Sequence, residues 1–223
     1  VKFLPMGNTG NQMGGWFNKE MNTADDYKGL KMRMPGLGGR TIGKLGATAV
    51  LMGGPDILTS LASGAIDAAE WICPVADLGL GMHQAAKFYY GPGWHEPSTL
   101  LDLSIDLKEW EGLDADTQAL MMEMAKAFNV DVFSRFQALN GPALGKLLNE
   151  HGVQLKTFPD ELLIALGNAA GEVMEERGSI DSQTKAICNH ILSFRKNIMD
   201  WSTKGESEFA RIRNLPFKFP ESV

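Results

Sequence analysis

Along the first half of the chain, short apolar or alternating runs are followed by stretches with helical spacing, several times over. Val1 to Pro5 reads as a strand or strand end, and Gly7 to Asn11 as a turn-rich stretch. Thr23 fits a helix N-cap, with Asp25 and Asp26 in the first turn behind it. In Lys31 to Pro35, Met32 and Met34 fall on one face of a strand, Lys31 and Arg33 on the other. The glycine-rich run Gly36 to Gly39 follows, then a helical stretch through Leu45 and an apolar strand from Ala47 to Met52. Pro55 suits the first turn of a helix ending near Gly64. Ile66 to Cys73 predicts a strand, Pro74 to Ala86 a helix, and Thr99 to Asp106 an alternating strand.

The second half is mostly helical. From Asp114, apolar residues at Leu120, Met121, Met124, Ala125, Phe128, Val132, Phe136 and Leu139 recur at helical spacing, and the methionines read as core packing. Val153 to Phe158 predicts a short strand after a stop at Gly152. Pro159 opens a helical region that breaks near Gly178-Ser179, runs to about Leu215 and ends at Pro216 and Pro220. Its Phe194, Ile198, Trp201, Phe209 and Ile212 read as packing residues, with pairing of two copies as the alternative. Strands alternating with helices predict an α/β fold around a parallel sheet, and such sheets bind ligands beyond the carboxyl ends of their strands.

Composition narrows the function classes. With 44% hydrophobic and 22% charged residues, the 223-residue chain is not of the disordered kind. A net charge of −6 without a basic run argues against nucleic acid or an anionic membrane as partner through bulk charge. Any anion must be held by a local site. Cys73 and Cys188 form no CxxC pair, and no apolar run approaches the ~18–20 residues of a membrane span.

Four polar positions fit a ligand site at strand ends: Gln12, Arg33, Glu70 beside Trp71, and Glu96 in the loop Gly91 to Pro97. Glu70 interrupts an apolar run, so it is paired, hydrogen-bonded or on a metal, unless it faces water at a sheet edge. Arg33 is either a site residue or part of a solvated face with Lys31. Glu96 alone reads as surface, and Gln12 alone carries little signal. Enzyme motifs fail: no GxGxxG, no phosphate-loop lysine with its hydroxyl neighbour, no GxSxG and no HExxH occurs. His83, His95, His151 and His190 are scattered and read as structural or surface residues. An acid–base pair of Glu70 and Glu96, as in a hydrolase, is compatible with the sequence but has nothing else behind it.

Three segments carry a family resemblance: Gly7 to Phe17, Tyr27 to Gly36 (YKGLKMRMPG) and Gly64 to Trp71 (GAIDAAEW). Together they resemble the extracytoplasmic solute receptors of TRAP (tripartite ATP-independent periplasmic) transporters, within them the branch binding 2-oxo acids and related monocarboxylates. Tyr90 to Pro97 fits the same branch. The resemblance implies a periplasmic, non-enzymatic binding protein that serves TRAP membrane permease subunits, with two α/β lobes joined by a hinge and long C-terminal helices. It implies Arg33 as the carboxylate clamp, and Gln12, Glu70, Trp71 through its main-chain oxygen, and Glu96 as ligands of a sodium or calcium ion. Gln12, Arg33 and Trp71 are then the substrate-binding residues. Trp94 and Phe17 are candidates to line the pocket, without a matched family role. It further implies that the chain begins well into the family's length, with an incomplete first lobe. Residues 66–106 would be that lobe's remnant, and 1–65 with 107–223 the second lobe and C-terminal helices. A ligand-sensing module of the same fold is a further alternative.

The chemistry is coherent for a small organic acid anion. A guanidinium matches a carboxylate with two parallel hydrogen bonds. Amide, carbonyl and carboxylate oxygens are hard donors that favour sodium or calcium. An ion held there closes a five-membered chelate with a carboxylate oxygen and the adjoining 2-oxo or 2-hydroxy oxygen. One arginine, two glutamates and a monoanion leave an excess negative charge that calcium neutralises more fully than sodium.

Overall fold

The computed structural model describes residues 1–218; Pro220, expected to help end the last helix, lies outside them. Two compact units are present, Val1–Ala170 and a second beginning at Gly171.

The first unit holds strands β1 (Lys2–Asn8), β2 (Gly15–Phe17), β3 (Lys31–Arg33), β4 (Thr48–Val50), β5 (Ala68–Ala69), β6 (Phe88–Gly91), β7 (Leu100–Ile105) and β8 (Gln154–Thr157). Six of them make one sheet in the order β4-β3-β5-β2-β6-β8. Its β4-β3-β5 side is parallel, and helices α1 (Gly36–Lys44) and α2 (Gly54–Ser63) provide the crossovers that parallel neighbours need. β2 runs antiparallel to both β5 and β6, while β6 and β8 are parallel. The sheet is therefore mixed, not parallel throughout. The sequence pattern does not announce β2 and β6, because three or four residues are too few to display a period.

β1 pairs only with β7, as a separate antiparallel ribbon from Lys2↔Ile105 to Asn8↔Leu100. β5 and β6 share a sheet with β2, β3, β4 and β8, while β7 pairs back onto β1.

Neighbouring residues of the central strands enter opposite faces of the sheet. Phe17, Met32, Ala68 and Tyr90 join Tyr27, Ile42, Phe158, Leu162 and Leu166 in one core. Trp16, Ala69 and Tyr89 join Ile57, Leu61, Met82 and Leu147 in the other. Both faces are thus covered, as expected when helices pack on each side of a sheet. The helix expected over Pro74 to Ala86 is split into α3 (Pro74–Leu80) and a 3-10 turn (Met82–Gln84). Gly81 divides them with φ +74, a left-handed conformation that suits glycine as a helix stop.

α4 (Leu107–Gly112) leads into α5 (Ala115–Asn149), capped by Asp114, whose carboxylate accepts from the Thr117 N–H. The spacing of the apolar residues in α5 is helical, but the expected core packing is not met. Leu120, Met124 and Phe128 are 62%, 47% and 42% exposed. The part of α5 under the ribbon buries only Ala125, against Leu4 and Trp110. α6 (Asp160–Gly178) runs from the first unit into the second, which also contains α7 (Ser182–Ser202), a π-helical turn (Thr203–Ser207) and α8 (Glu208–Arg213). The break near Gly178-Ser179 is where the sequence suggests. Phe194, Trp201 and Phe209, expected to be packed, are exposed. No helix among the described residues is long and apolar enough to cross a membrane.

Candidate functional site

Arg33 is the last residue of β3, and Glu70 follows the last residue of β5. Both therefore sit at the carboxyl ends of parallel strands. Both are buried, so the solvated alternatives for them do not hold. The Arg33 guanidinium pairs with the Glu70 carboxylate through Nη1 and Oε1. Nη1 also donates to the Glu70 main-chain carbonyl (2.8 Å), and Nε donates to the Met52 carbonyl (3.4 Å) just beyond β4. The guanidinium carbon lies 5.0 Å from the centre of the Trp71 ring, in cation–π geometry. That ring lies over the start of α2, where a Cβ on Gly54 would stand 3.0 Å from it.

Gln12 is buried in the loop after β1. Its amide nitrogen donates to the hydroxyls of Thr99 and Thr9, the latter at 3.4 Å. The Thr99 hydroxyl in turn donates to Glu96 Oε1 (2.8 Å), and the Thr99 N–H donates to the Thr9 hydroxyl (2.9 Å). This arrangement orients the Gln12 amide and leaves its Oε1 buried without a hydrogen-bond partner among the described residues. A buried acceptor without a donor is costly, by roughly 1–3 kcal/mol, and calls for an explanation.

Main-chain bonds tie the two clusters together. Met13 N–H donates to the Ile72 carbonyl (2.9 Å), Gly93 N–H to the Gln12 carbonyl (2.9 Å) and Gln12 N–H to the Pro97 carbonyl (3.2 Å). A Cβ on Gly93 would sit 2.8 Å from the Gln12 carbonyl oxygen, so only glycine permits this approach. The segments carrying Gln12, Glu70-Trp71 and Glu96 are thus cross-linked side by side. Arg33 thus pairs with Glu70, Gln12 joins Glu96 through Thr99, and the Met13–Ile72 main-chain bond links the two clusters.

Two residues escape the sequence pattern. His95, read as structural or surface, has a buried side chain with Nε2 3.3 Å from Glu70 Oε2, while its Nδ1 lacks a partner among the described residues. Its position next to Glu96 is the available signal. Asp77 in α3 is buried with three donors on its carboxylate: Trp16 Nε1 (2.9 Å) and the Tyr89 hydroxyl (2.8 Å) on Oδ2, and Ile72 N–H (3.1 Å) on Oδ1. Burial outweighs those donors and pushes its pKa up from 3.8 to about 6. No spacing in the sequence announces that contact. Phe17 belongs to the core, and Trp94 packs against it beside the buried Tyr27.

Among the described residues, no three His, Cys, Asp or Glu side chains converge as a metal cluster. The candidate donor set is different in kind, with two carboxylates, one amide oxygen and one main-chain oxygen. The unpartnered Gln12 Oε1 fits a hard cation, which accepts oxygens that no proton donor reaches.

A mixed sheet with helices on both faces and a buried polar cluster at its strand ends is the architecture of an α/β ligand-binding protein. A family model described as bacterial extracellular solute-binding protein, family 7, matches residues 2–179, and the chain belongs to that family, the solute-binding components of TRAP transporters. A monocarboxylate 2-oxoacid-binding periplasmic protein of Nostoc is 40% identical over 206 residues, which cover 92% of this chain and 56% of the Nostoc protein. A TRAP periplasmic solute-binding protein of Pseudoalteromonas atlantica, solved with sodium and pyruvate, is 35% identical with a TM-score of 0.89, over 97% of this chain and 64% of that one. Another, of Colwellia psychrerythraea with calcium and pyruvate, is 36% identical with a TM-score of 0.88, over 94% and 64%. The chain thus spans roughly three fifths of the length of these relatives.

Proposed function

We propose that this chain is the ligand-binding part of a periplasmic TRAP receptor that takes a 2-oxo or 2-hydroxy monocarboxylate, such as pyruvate or lactate, together with sodium or calcium, and delivers it to the membrane permease subunits. The observation that carries the reading is the buried Gln12 Oε1 without a donor, joined to Glu96 through Thr99, in a segment cross-linked to the one that carries Glu70. The ions and pyruvate of the Pseudoalteromonas and Colwellia proteins support it.

In this reading Arg33 grips the ligand carboxylate. Glu70 and Met52 hold its Nη1 and Nε, so the guanidinium plane is fixed, and Nη2 would donate to the ligand. Gln12 Oε1, the carboxylates of Glu70 and Glu96, and the Trp71 carbonyl would hold the cation. When bound, the cation supplies a second positive anchor that distinguishes 2-oxo and 2-hydroxy acids from plain carboxylates. His95 steadies the far oxygen of Glu70, and Thr99 steadies Gln12 and Glu96 at once. In this reading the six-stranded sheet is one lobe of a two-lobe receptor.

Calorimetry on the full-length protein tests this. Pyruvate binding is expected in calcium or sodium and to be lost with a chelator in sodium-free buffer. Propionate, which lacks the 2-oxo oxygen, is expected to bind at least tenfold more weakly. Equal affinity for the two acids, or binding indifferent to cations, would contradict the reading.

A further inference from the structure

We infer that Asp77 is a positioning residue for the cation, acting through the peptide group that joins Trp71 to Ile72. The inference rests on the reading above, in which the Trp71 main-chain oxygen is a ligand. Asp77 Oδ1 accepts the Ile72 N–H at 3.1 Å. That N–H and the Trp71 carbonyl belong to one planar amide, in which they point in opposite directions. Holding the N–H on one side therefore fixes where the carbonyl oxygen points on the other. Donation to a carboxylate also polarises the amide and makes its carbonyl oxygen a better donor to a cation.

Asp77 is itself immobilised. Its Oδ2 takes Trp16 Nε1 from β2 and the Tyr89 hydroxyl from β6, two strands that are hydrogen-bonded neighbours. The Trp16 and Tyr89 rings stack at 4.1 Å between centroids. The next peptide is fixed as well, because the Ile72 carbonyl accepts from Met13 N–H, adjacent to Gln12. Glu70 N–H still donates to the Arg33 carbonyl (3.2 Å), and beyond it this buried carboxylate fixes the Trp71–Ile72 peptide. Partners of this kind, which orient a metal's own ligands, typically change metal affinity 10–100-fold when removed.

The test uses the full-length protein and its Asp77→Asn variant at neutral pH, titrated with calcium chloride and with sodium chloride, then with pyruvate at saturating cation. Cation affinity is expected to fall 10–100-fold in the variant, while pyruvate affinity at saturating cation stays within about threefold of wild type. Because a cation that binds the folded state also rescues a merely destabilised fold by mass action, the affinities are compared on variant protein whose circular dichroism in chelator matches the wild type. In the wild type alone, the Ile72 amide nitrogen resonance is expected to move as calcium is added, and this readout stands even where the variant fails to fold. An unchanged cation affinity in a folded Asp77→Asn, or an unmoved Ile72 amide in a wild type that binds cation, overturns the inference while leaving the functional reading intact. A wild type that binds pyruvate but neither cation overturns both.

Discussion

Arg33 and Glu70 are a buried ion pair, with side chains 9% and 2% exposed. Such a pair is held against a large desolvation cost, and removing one partner strands the other. Arg33→Ala should therefore lower stability by about 3–5 kcal/mol in chelator, measured by urea unfolding. Added calcium should restore part of the loss, since a cation beside Glu70 replaces the missing charge. Arg33→Lys should keep most of the stability yet weaken pyruvate binding about 10–150-fold, the worth of one charge-assisted hydrogen bond. Asp77 makes a separate prediction. Its pKa is about 6 in the folded chain against 3.8 as a reference, so between those values the folded state binds the proton more tightly. Its contribution to stability is present in full below pH ~4 and lost as pH rises through about 6, a change of up to about 3 kcal/mol. Asp77→Asn should flatten that part of the stability-versus-pH curve. A curve of the same shape in the variant would show that the buried carboxyl is not its source.

At the scale of elements, two glycines show how local backbone sets the site and its surroundings. Gly93 lets its loop lie against Gln12, where a Cβ would come within 3.0 Å of three Gln12 atoms. Gly93→Ala should push the Glu96 loop away from Gln12, cost about 1–3 kcal/mol and weaken pyruvate binding. Gly79 lies exposed in α3, and a Cβ added there would meet open space, with no atom within 4 Å. Gly79→Ala should therefore raise stability by about 0.5–1 kcal/mol without touching binding. The elements are unequally legible in the sequence. Helices α1 and α2 and the strand β8 are readable because a proline, a glycine stop or a clear period marks them. β2 and β6 are not, because Gly15–Phe17 and Phe88–Gly91 are short and buried on both sides, so no polar residue alternates with the apolar ones. The run Ile66 to Cys73 reads as one strand, but only Ala68–Ala69 pairs as one. Asp67 N–H and Glu70 N–H still donate to the Lys31 and Arg33 carbonyls, and from Trp71 the chain turns to bonds with Asp77 and Met13.

For the whole molecule, the site residues are easier to read from the chain than the arrangement of sheets. Arg33, Glu70 and Glu96 stand out by their types at expected strand ends and by the family pattern; Arg33 pairs with Glu70, while Glu96 bonds Thr99 in the neighbouring loop. The β1–β7 ribbon and the placement of β5 within the main sheet depend on pairings between residues far apart in sequence, which no local period encodes. His95 and Asp77 stay hidden for the same reason, since their partners come from other strands and loops. The exposed apolar residues of α5 and α7 keep helical spacing, which states that a face exists without stating what it meets.

The central claim is that one arginine and one oxygen-held cation share a single small acid. The most direct measurement is a crystal structure of the full-length protein grown with calcium and pyruvate. An ion is expected within about 2.3–2.6 Å of Gln12 Oε1, the Trp71 carbonyl and carboxylate oxygens of Glu70 and Glu96, with the pyruvate carboxylate on Arg33. Pyruvate bound away from Arg33, or an ion coordinated without these four residues, would contradict it.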